Sequence, residues 1–278
     1  MNPHLASAPA VHEREGGVFS YLSPSRLNLW LKCPLAFRTR YADGIKPAPN
    51  PAVFVGKMTH EALAVFYRHL QLGIRLTSGD LDKRIDQSWA ASVQAEGLTF
   101  ESGYEERALR QQVFDLVSAY LGRFAEDETP LAVETALETP LIDPTSGEDL
   151  GLPLVGVIDL VLDAPPGPVI VDFKTSARAA EPLEITHEIQ LSCYAYLFRH
   201  CSLQREDAVE IRTLVKTKLA KVEAYHYPAR SAAHFGRLFS AICAYLDDLD
   251  KGKFVFRPGF GCAMCDFRET HCRAWAGA

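Results

Sequence analysis

The chain contains no run of about 18 apolar residues, so it offers no segment to cross a membrane. Its first 18 residues lack the basic start and apolar stretch of a secretory signal. With Pro3, Pro9, Gly16 and Gly17 among mixed polar residues, residues 1–18 read as a disordered lead-in, and a cytoplasmic location is expected. Basic residues are not in excess: 29 Lys and Arg against 35 Asp and Glu give a net charge of −6, which argues against a generic nucleic-acid coat protein. A phosphate-binding loop is also missing. Gly56-Lys57 begins to look like one, but Pro51 stands where the first glycine belongs and Met58 replaces the serine or threonine. No nucleotide-driven motor is expected, and no internal repeat is evident.

What remains is an ordinary globular composition, 47% hydrophobic and 23% charged over 278 residues, long enough to bury a substantial core. A single domain over 19–278 is expected. Charge is unevenly spread. Arg212, Lys216, Lys218 and Lys221 fall in one stretch without an acidic residue, whereas 126–149 is acidic without a basic one. A net-acidic protein can still hold DNA in a locally basic groove. Seven cysteines are present, and Cys262, Cys265 and Cys272 crowd the end of the chain. In a cytosolic chain such crowding points to metal or cluster binding rather than disulfides. A structural metal or cluster generally takes four such ligands. Cys193, Cys201 and Cys243 read as buried packing residues.

Ser23 caps a first helix with Pro24 at its first position, and Cys33-Pro34 splits the segment 26–41 into two short helices. Trp30, Phe37 and Tyr41 read as core, although aromatics there could stack on bases. A proline-rich linker over 47–51 leads into an amphipathic helix over 52–72, followed by helices over 80–94 and 104–126. These last two form a helical insertion at about 75–128. The period then changes to that of strands, over 131–142, 153–162 and 169–174, with Pro165-Pro166-Gly167 as a hairpin loop. A helix over 185–200, strands over 208–215 and 222–227, and a helix over 229–251 complete the pattern. This order predicts an α/β fold, a mixed central sheet flanked by helices.

Two strands carry chemistry. Gly156-Val157-Ile158-Asp159 and Val171-Asp172-Phe173-Lys174 each place an aspartate inside a nearly apolar run, which is costly unless something pairs with it. On hairpin-connected strands the two carboxylates can sit side by side and hold Mg²⁺ or Mn²⁺. Lys174, two residues past Asp172, points to the same face and can orient an attacking water or steady a phosphate charge. That is the chemistry of phosphodiester hydrolysis. His60, one turn after Gly56, can add a nitrogen ligand, the glycine leaving room for close approach. Gln190 and Tyr194 share one helix face and can hold the lysine or a phosphate.

Taken in order, these motifs resemble the RecB-like branch of the PD-(D/E)xK nucleases, which includes the nuclease domains of RecB and AddB and cysteine-cluster nucleases of CRISPR adaptation. The resemblance rests on Ser23-Pro24-Ser25-Arg26-Leu27 with Cys33-Pro34, Gly56-Lys57-Met58-Thr59-His60-Glu61, both aspartate strands, Gln190-Leu191-Ser192-Cys193-Tyr194, and the terminal cysteines. It implies a restriction-endonuclease-like core and a divalent-metal-dependent deoxyribonuclease, an exonuclease acting on single-stranded DNA or DNA ends in recombination, repair or CRISPR adaptation. Helicase or CRISPR-adaptation proteins would be its partners. It also implies that His60, Asp159, Asp172 and the Phe173 carbonyl bind Mg²⁺ or Mn²⁺, that Lys174 acts on the attacking water, and that Gln190 and Tyr194 support lysine and substrate. Glu134 or Glu138 could supply a further ligand. Cys33 with Cys262, Cys265 and Cys272 would hold a [4Fe–4S] cluster joining a tail over 254–273 to the first helices, with zinc as the alternative. The competing reading is a non-catalytic DNA-binding or partner-docking module with a structural iron–sulfur or zinc site.

Overall fold

The computed structural model describes residues 16–124, 128–178 and 184–272. Helix α1 spans Pro24–Lys32, and Ser23 Oγ accepts from the Arg26 amide at its start, 3.3 Å. Pro34 opens α2 (Pro34–Phe37), which runs on as a π-helical turn over Arg38–Ala42. Helix α3 (Pro51–Gln71) is capped by Asn50, whose side chain accepts from the Ala52 amide at 2.8 Å. Helix α4 covers Ser78–Glu96, with a Thr77/Asp80 capping box, and α5 covers Gly103–Phe124. The strands are β1 (Thr129–Ile142), β2 (Asp149–Asp163) and β3 (Val169–Ser176). Helix α6 (Glu184–Ser202), β4 (Ala208–Val215), β5 (Lys221–Pro228) and α7 (Ala232–Asp250) follow. Among the described residues no helix is long and apolar enough to cross a membrane.

The sheet order is β1-β2-β3-β4-β5. β3 runs antiparallel to β2 and parallel to β4, and β5 returns antiparallel. This is the α/β, restriction-endonuclease-like core with a mixed sheet flanked by helices. β2 begins earlier than the expected 153 and passes through Pro153, whose carbonyl accepts from the Leu22 amide at 2.8 Å while the Val155 amide donates to Leu22 O at 2.8 Å. Proline therefore does not end this strand. Residues 1–15 of the expected lead-in lie outside the described residues, and Gly17–Phe19 forms a 3₁₀ turn.

The chain forms two compact units. Among the described residues, one comprises those of 16–45, 138–155 and 232–272, and the other those of 46–137 and 156–231. In the second, Phe54, Met58, Phe66 and Tyr67 of α3, Trp89 of α4, and Leu116 and Tyr120 of α5 bury one face of the sheet with Val169, Val171 and Phe173. Burying such side chains is worth about 1.5–3 kcal/mol each, and this is what fixes β3 against α3. In the first unit Trp30 and Phe37 are core, as their composition suggested. Both meet the Tyr245 ring edge-on, at 5.6 and 5.4 Å. Of the three cysteines expected to be buried, only Cys193 is. Cys201 and Cys243 are exposed, because each falls on the outward side of its helix.

Candidate active site

β2 and β3 pair through Leu160–Val171, Val161–Ile170 and Leu162–Val169. The next step in that register would set Asp159 opposite Asp172. There the ladder ends, and the Phe173 amide donates to Asp159 Oδ2 at 2.8 Å. The carboxylate side chain thus takes the hydrogen bond that a strand carbonyl would otherwise accept, and the two aspartates come together where the strands part.

On one side of this opening stands His60 of α3, with Nδ1 3.7 Å from Asp159 Oδ1. Glu134 of β1 joins them: one ligand atom each from His60, Glu134 and Asp159 lie within 4.8 Å of one another. Glu134 has φ 44°, a left-handed conformation that a non-glycine residue adopts at a cost of about 1–3 kcal/mol. Of the two glutamates left open by the sequence, Glu134 is the one brought to His60 and Asp159.

On the other side Asp172, 1% exposed, is held from two directions. Lys174 Nζ lies 2.6 Å from Oδ2, and Gln190 Nε2 of α6 donates to Oδ1 at 3.0 Å. Gln190 also donates to the Tyr194 hydroxyl at 2.8 Å, so the i, i+4 pair acts on one carboxylate. Burial pushes Asp172 up to about 6; Lys174 opposes this and the charge of Asp159 adds to it. Glu134 is raised by burial and by Asp159. For His60 burial lowers the pKa, but the bond to Asp159 and the charges of Asp159 and Asp172 outweigh it, and the net shift is upward. Tyr194 is raised by burial and by both aspartates, so its hydroxyl stays protonated. These shifts share one origin, an excess of negative charge in a site with little water. Asp172 Oδ2 is buried, and Lys174 Nζ at 2.6 Å is the cation that faces it. A divalent cation with a preference for oxygen fits this donor set.

Close packing aims these groups. A Cβ on Gly156 would meet Leu197 Cδ1 at 2.7 Å and Tyr194 Cε1 at 3.6 Å, so the glycine lets α6 approach β2. A Cβ on Gly56 would meet Thr175 Oγ1 at 2.8 Å. The space at Gly56 therefore seats α3 on β3, one turn before His60, rather than admitting a metal. Beneath the site the Phe173 ring stacks on Tyr67 at 6.3 Å and meets the Tyr120 and His60 rings edge-on at 5.5 and 5.8 Å.

The sequence profile of the PD-(D/E)XK nuclease superfamily matches residues 21–273. The chain belongs to this superfamily. Its nucleases use divalent metals, and the His60, Glu134 and Asp159 group is the corresponding candidate site. A crystal structure from Eubacterium rectale, described as a "putative exonuclease", overlays with a TM-score of 0.54 at 13% identity, covering 91% of this chain and 88% of that one. It supports the fold. The structure of SSO0001 overlays at a TM-score of 0.38 and 16% identity, covering 80% of this chain and 95% of that one, too loosely to bear on the superfamily core. No curated protein matches the chain.

The four cysteines singled out in the sequence belong to the other unit. Cys33 is the extended N-cap of α2, Cys262 lies in a 3₁₀ turn (Phe260–Met264), and Cys265 ends that turn. Together with Cys272 they line one cavity of about 210 Å³. Among the described residues no three of their sulfurs fall within 4.8 Å of one another.

Two features escape sequence reasoning. Arg212 falls in a basic stretch of the chain, but it is 3% exposed and bonded to Glu128 at 2.5 Å, Glu210 at 2.6 Å and the Tyr120 hydroxyl at 2.5 Å. Its place inside a strand that is apolar for most of its length is the available signal. His187 lies one turn before Gln190, and its pKa is lowered by burial and by Lys174. The i, i+3 spacing is the mark that points to it.

Proposed function

We propose that this chain is a divalent-metal-dependent deoxyribonuclease of the RecB-like branch, an exonuclease acting on single-stranded DNA or DNA ends. The observation that carries the reading is the convergence of His60, Glu134 and Asp159 beside the Asp172–Lys174 ion pair. A Mg²⁺ or Mn²⁺ ion held by His60, Glu134, Asp159 and Asp172, with the Phe173 carbonyl as the resemblance implies, would supply Lewis acidity and neutralise charge on the phosphate. Lys174 stands where an ammonium can orient the attacking water and balance the charge that develops on phosphate oxygens. Gln190 fixes the Asp172 carboxylate, and Tyr194 braces Gln190. Phe173 keeps the Asp159 carboxylate turned toward His60 through its amide.

Cys33, Cys262, Cys265 and Cys272 hold a [4Fe–4S] cluster in this reading. The four line one cavity, and zinc on the same thiolates is the alternative occupant. Its role is structural, within the unit that contains it. Preference for ends and service in recombination, repair or CRISPR adaptation beside a helicase or adaptation protein follow from the resemblance. The deciding experiment is cleavage of end-labelled linear DNA beside closed circular DNA in Mn²⁺, with RNA of the same sequence alongside. Loss of linear DNA alone fits the proposal. Cleavage of the circle would overturn the exonuclease assignment, and cleavage of RNA alone would overturn the DNA assignment.

A further inference from the structure

We propose that the β4–β5 turn binds backbone phosphate and holds the nucleic-acid strand beside the metal site. This rests on the nuclease reading above. Of the four basic residues in this stretch, Arg212 is consumed by two partly buried carboxylates, Glu128 and Glu210, but Lys216, Lys218 and Lys221 are not. Lys216 Nζ donates to Ala52 O at 3.1 Å, and among the described residues none of the three lysines pairs with a carboxylate. Lys218 and Lys221 are exposed and Lys216 is half-buried. Three lysines close together with one carboxylate, Asp115, beside two of them leave an excess of positive charge that an anion would offset.

The position of the turn is fixed by the sheet. Lys174 pairs with Thr213 and Ser176 with Val215 in the parallel β3–β4 ladder, and the Lys216 amide continues it to Ser176 O at 2.7 Å. With a strand rise of ~3.3 Å and a strand spacing of ~4.8 Å, the Lys216 backbone lies about 11 Å from that of Lys174. Lys216 lies three residues past Thr213, so its side chain leaves the face of the sheet opposite to that of Lys174, toward α3 and α5, and the turn would hold a phosphate farther along the strand than the reacting one. Lys216, Thr217 and Lys218 also line a cavity of about 170 Å³ with Gln112 and Asp115. Asp115, its one carboxylate, accepts from Gln111 Nε2 at 2.9 Å. Glu223, the next acidic residue on β5, lies 3.9 Å from Arg123. Side chains that grip phosphate position a strand without reading its sequence.

The test is the salt dependence of binding to a labelled single-stranded oligonucleotide, in EDTA so that nothing is cut. K216A/K218A/K221A should bind several-fold more weakly, and the slope of log K against log salt should fall by about 2, near 0.7 for each phosphate that a lysine no longer neutralises. In Mn²⁺ the same variant should show a raised KM at little-changed kcat. K218Q/K221Q leaves the Lys216–Ala52 bond intact and should show about two-thirds of the slope change. K83A/K253A, elsewhere on the surface, should match wild type. Wild-type affinity and slope in both turn variants would overturn the proposal while leaving the nuclease reading untouched. The expected slope changes in a protein whose wild type never cleaves would overturn the nuclease reading and leave the turn as a phosphate-binding element.

Discussion

Asp159 Oδ2 accepts the Phe173 amide at 2.8 Å, so a side chain of β2 replaces the ladder at the point where β2 and β3 separate. One hydrogen bond both opens the sheet and turns the second oxygen of Asp159 toward His60. The site is a controlled ending of strand pairing, held on one side by α3 and on the other by α6.

Asp172 should make the metal-free protein less stable at neutral pH. Its folded pKa, about 6, is above the ordinary 3.8, so the folded protein takes up a proton between about pH 4 and 6 that the unfolded chain does not. The contribution of this group to stability therefore falls as pH rises through that window. In EDTA at pH 8, Asp172→Asn should unfold with about 1–3 kcal/mol more stability than wild type. The gap should close toward pH 5, as read by denaturant titration at each pH. A variant less stable at pH 8 would contradict the assignment.

Glu134 carries both strain and charge. Glu134→Gln should weaken Mn²⁺ binding by at least ~10-fold in calorimetry, since a carboxylate leaves the ligand set. Glu134→Gly should lose the same affinity yet gain about 1 kcal/mol in metal-free stability, because glycine takes φ 44° without strain. Unchanged Mn²⁺ affinity in both would remove Glu134 from the site.

The glycine of the first aspartate strand should tolerate no side chain. Gly156→Ala drives a methyl to 2.7 Å from Leu197 Cδ1 and should cost about 1–3 kcal/mol. It should also shift α6, so metal-dependent activity falls beyond what the stability loss explains. Leu197→Ala in the same protein should recover part of both.

The cysteine assignment makes a spectroscopic prediction. Anaerobically purified protein should absorb in the visible region, and Cys33→Ala should lose that absorbance and its iron together. Full iron content in Cys33→Ala would show that another residue is the fourth ligand. Stoichiometric zinc without iron in wild type would favour the alternative metal.

Much of this architecture is legible in the sequence because the strands are apolar enough for a single aspartate to stand out in each. Asp159, Asp172, Lys174, Gln190 and Tyr194 can be placed by periods of two and of nearly four, and they do converge. Glu134 cannot be chosen over Glu138 from sequence, because the choice depends on a left-handed backbone turn that composition does not reveal. Arg212 reads as part of a basic stretch because a charge count does not tell a buried ion network from a solvated face. Cys201 and Cys243 read as buried yet are exposed, because helix periodicity places a residue on a face but not that face against a neighbour.

The central claim is tested most directly by the rate of DNA cleavage in Mn²⁺, in Mg²⁺ and in EDTA for wild type beside Asp172→Ala. The account predicts cleavage with either metal, none in EDTA, and a loss of at least ~100-fold in the variant. Equal cleavage by wild type and variant, or none by cluster-loaded wild type, would contradict it.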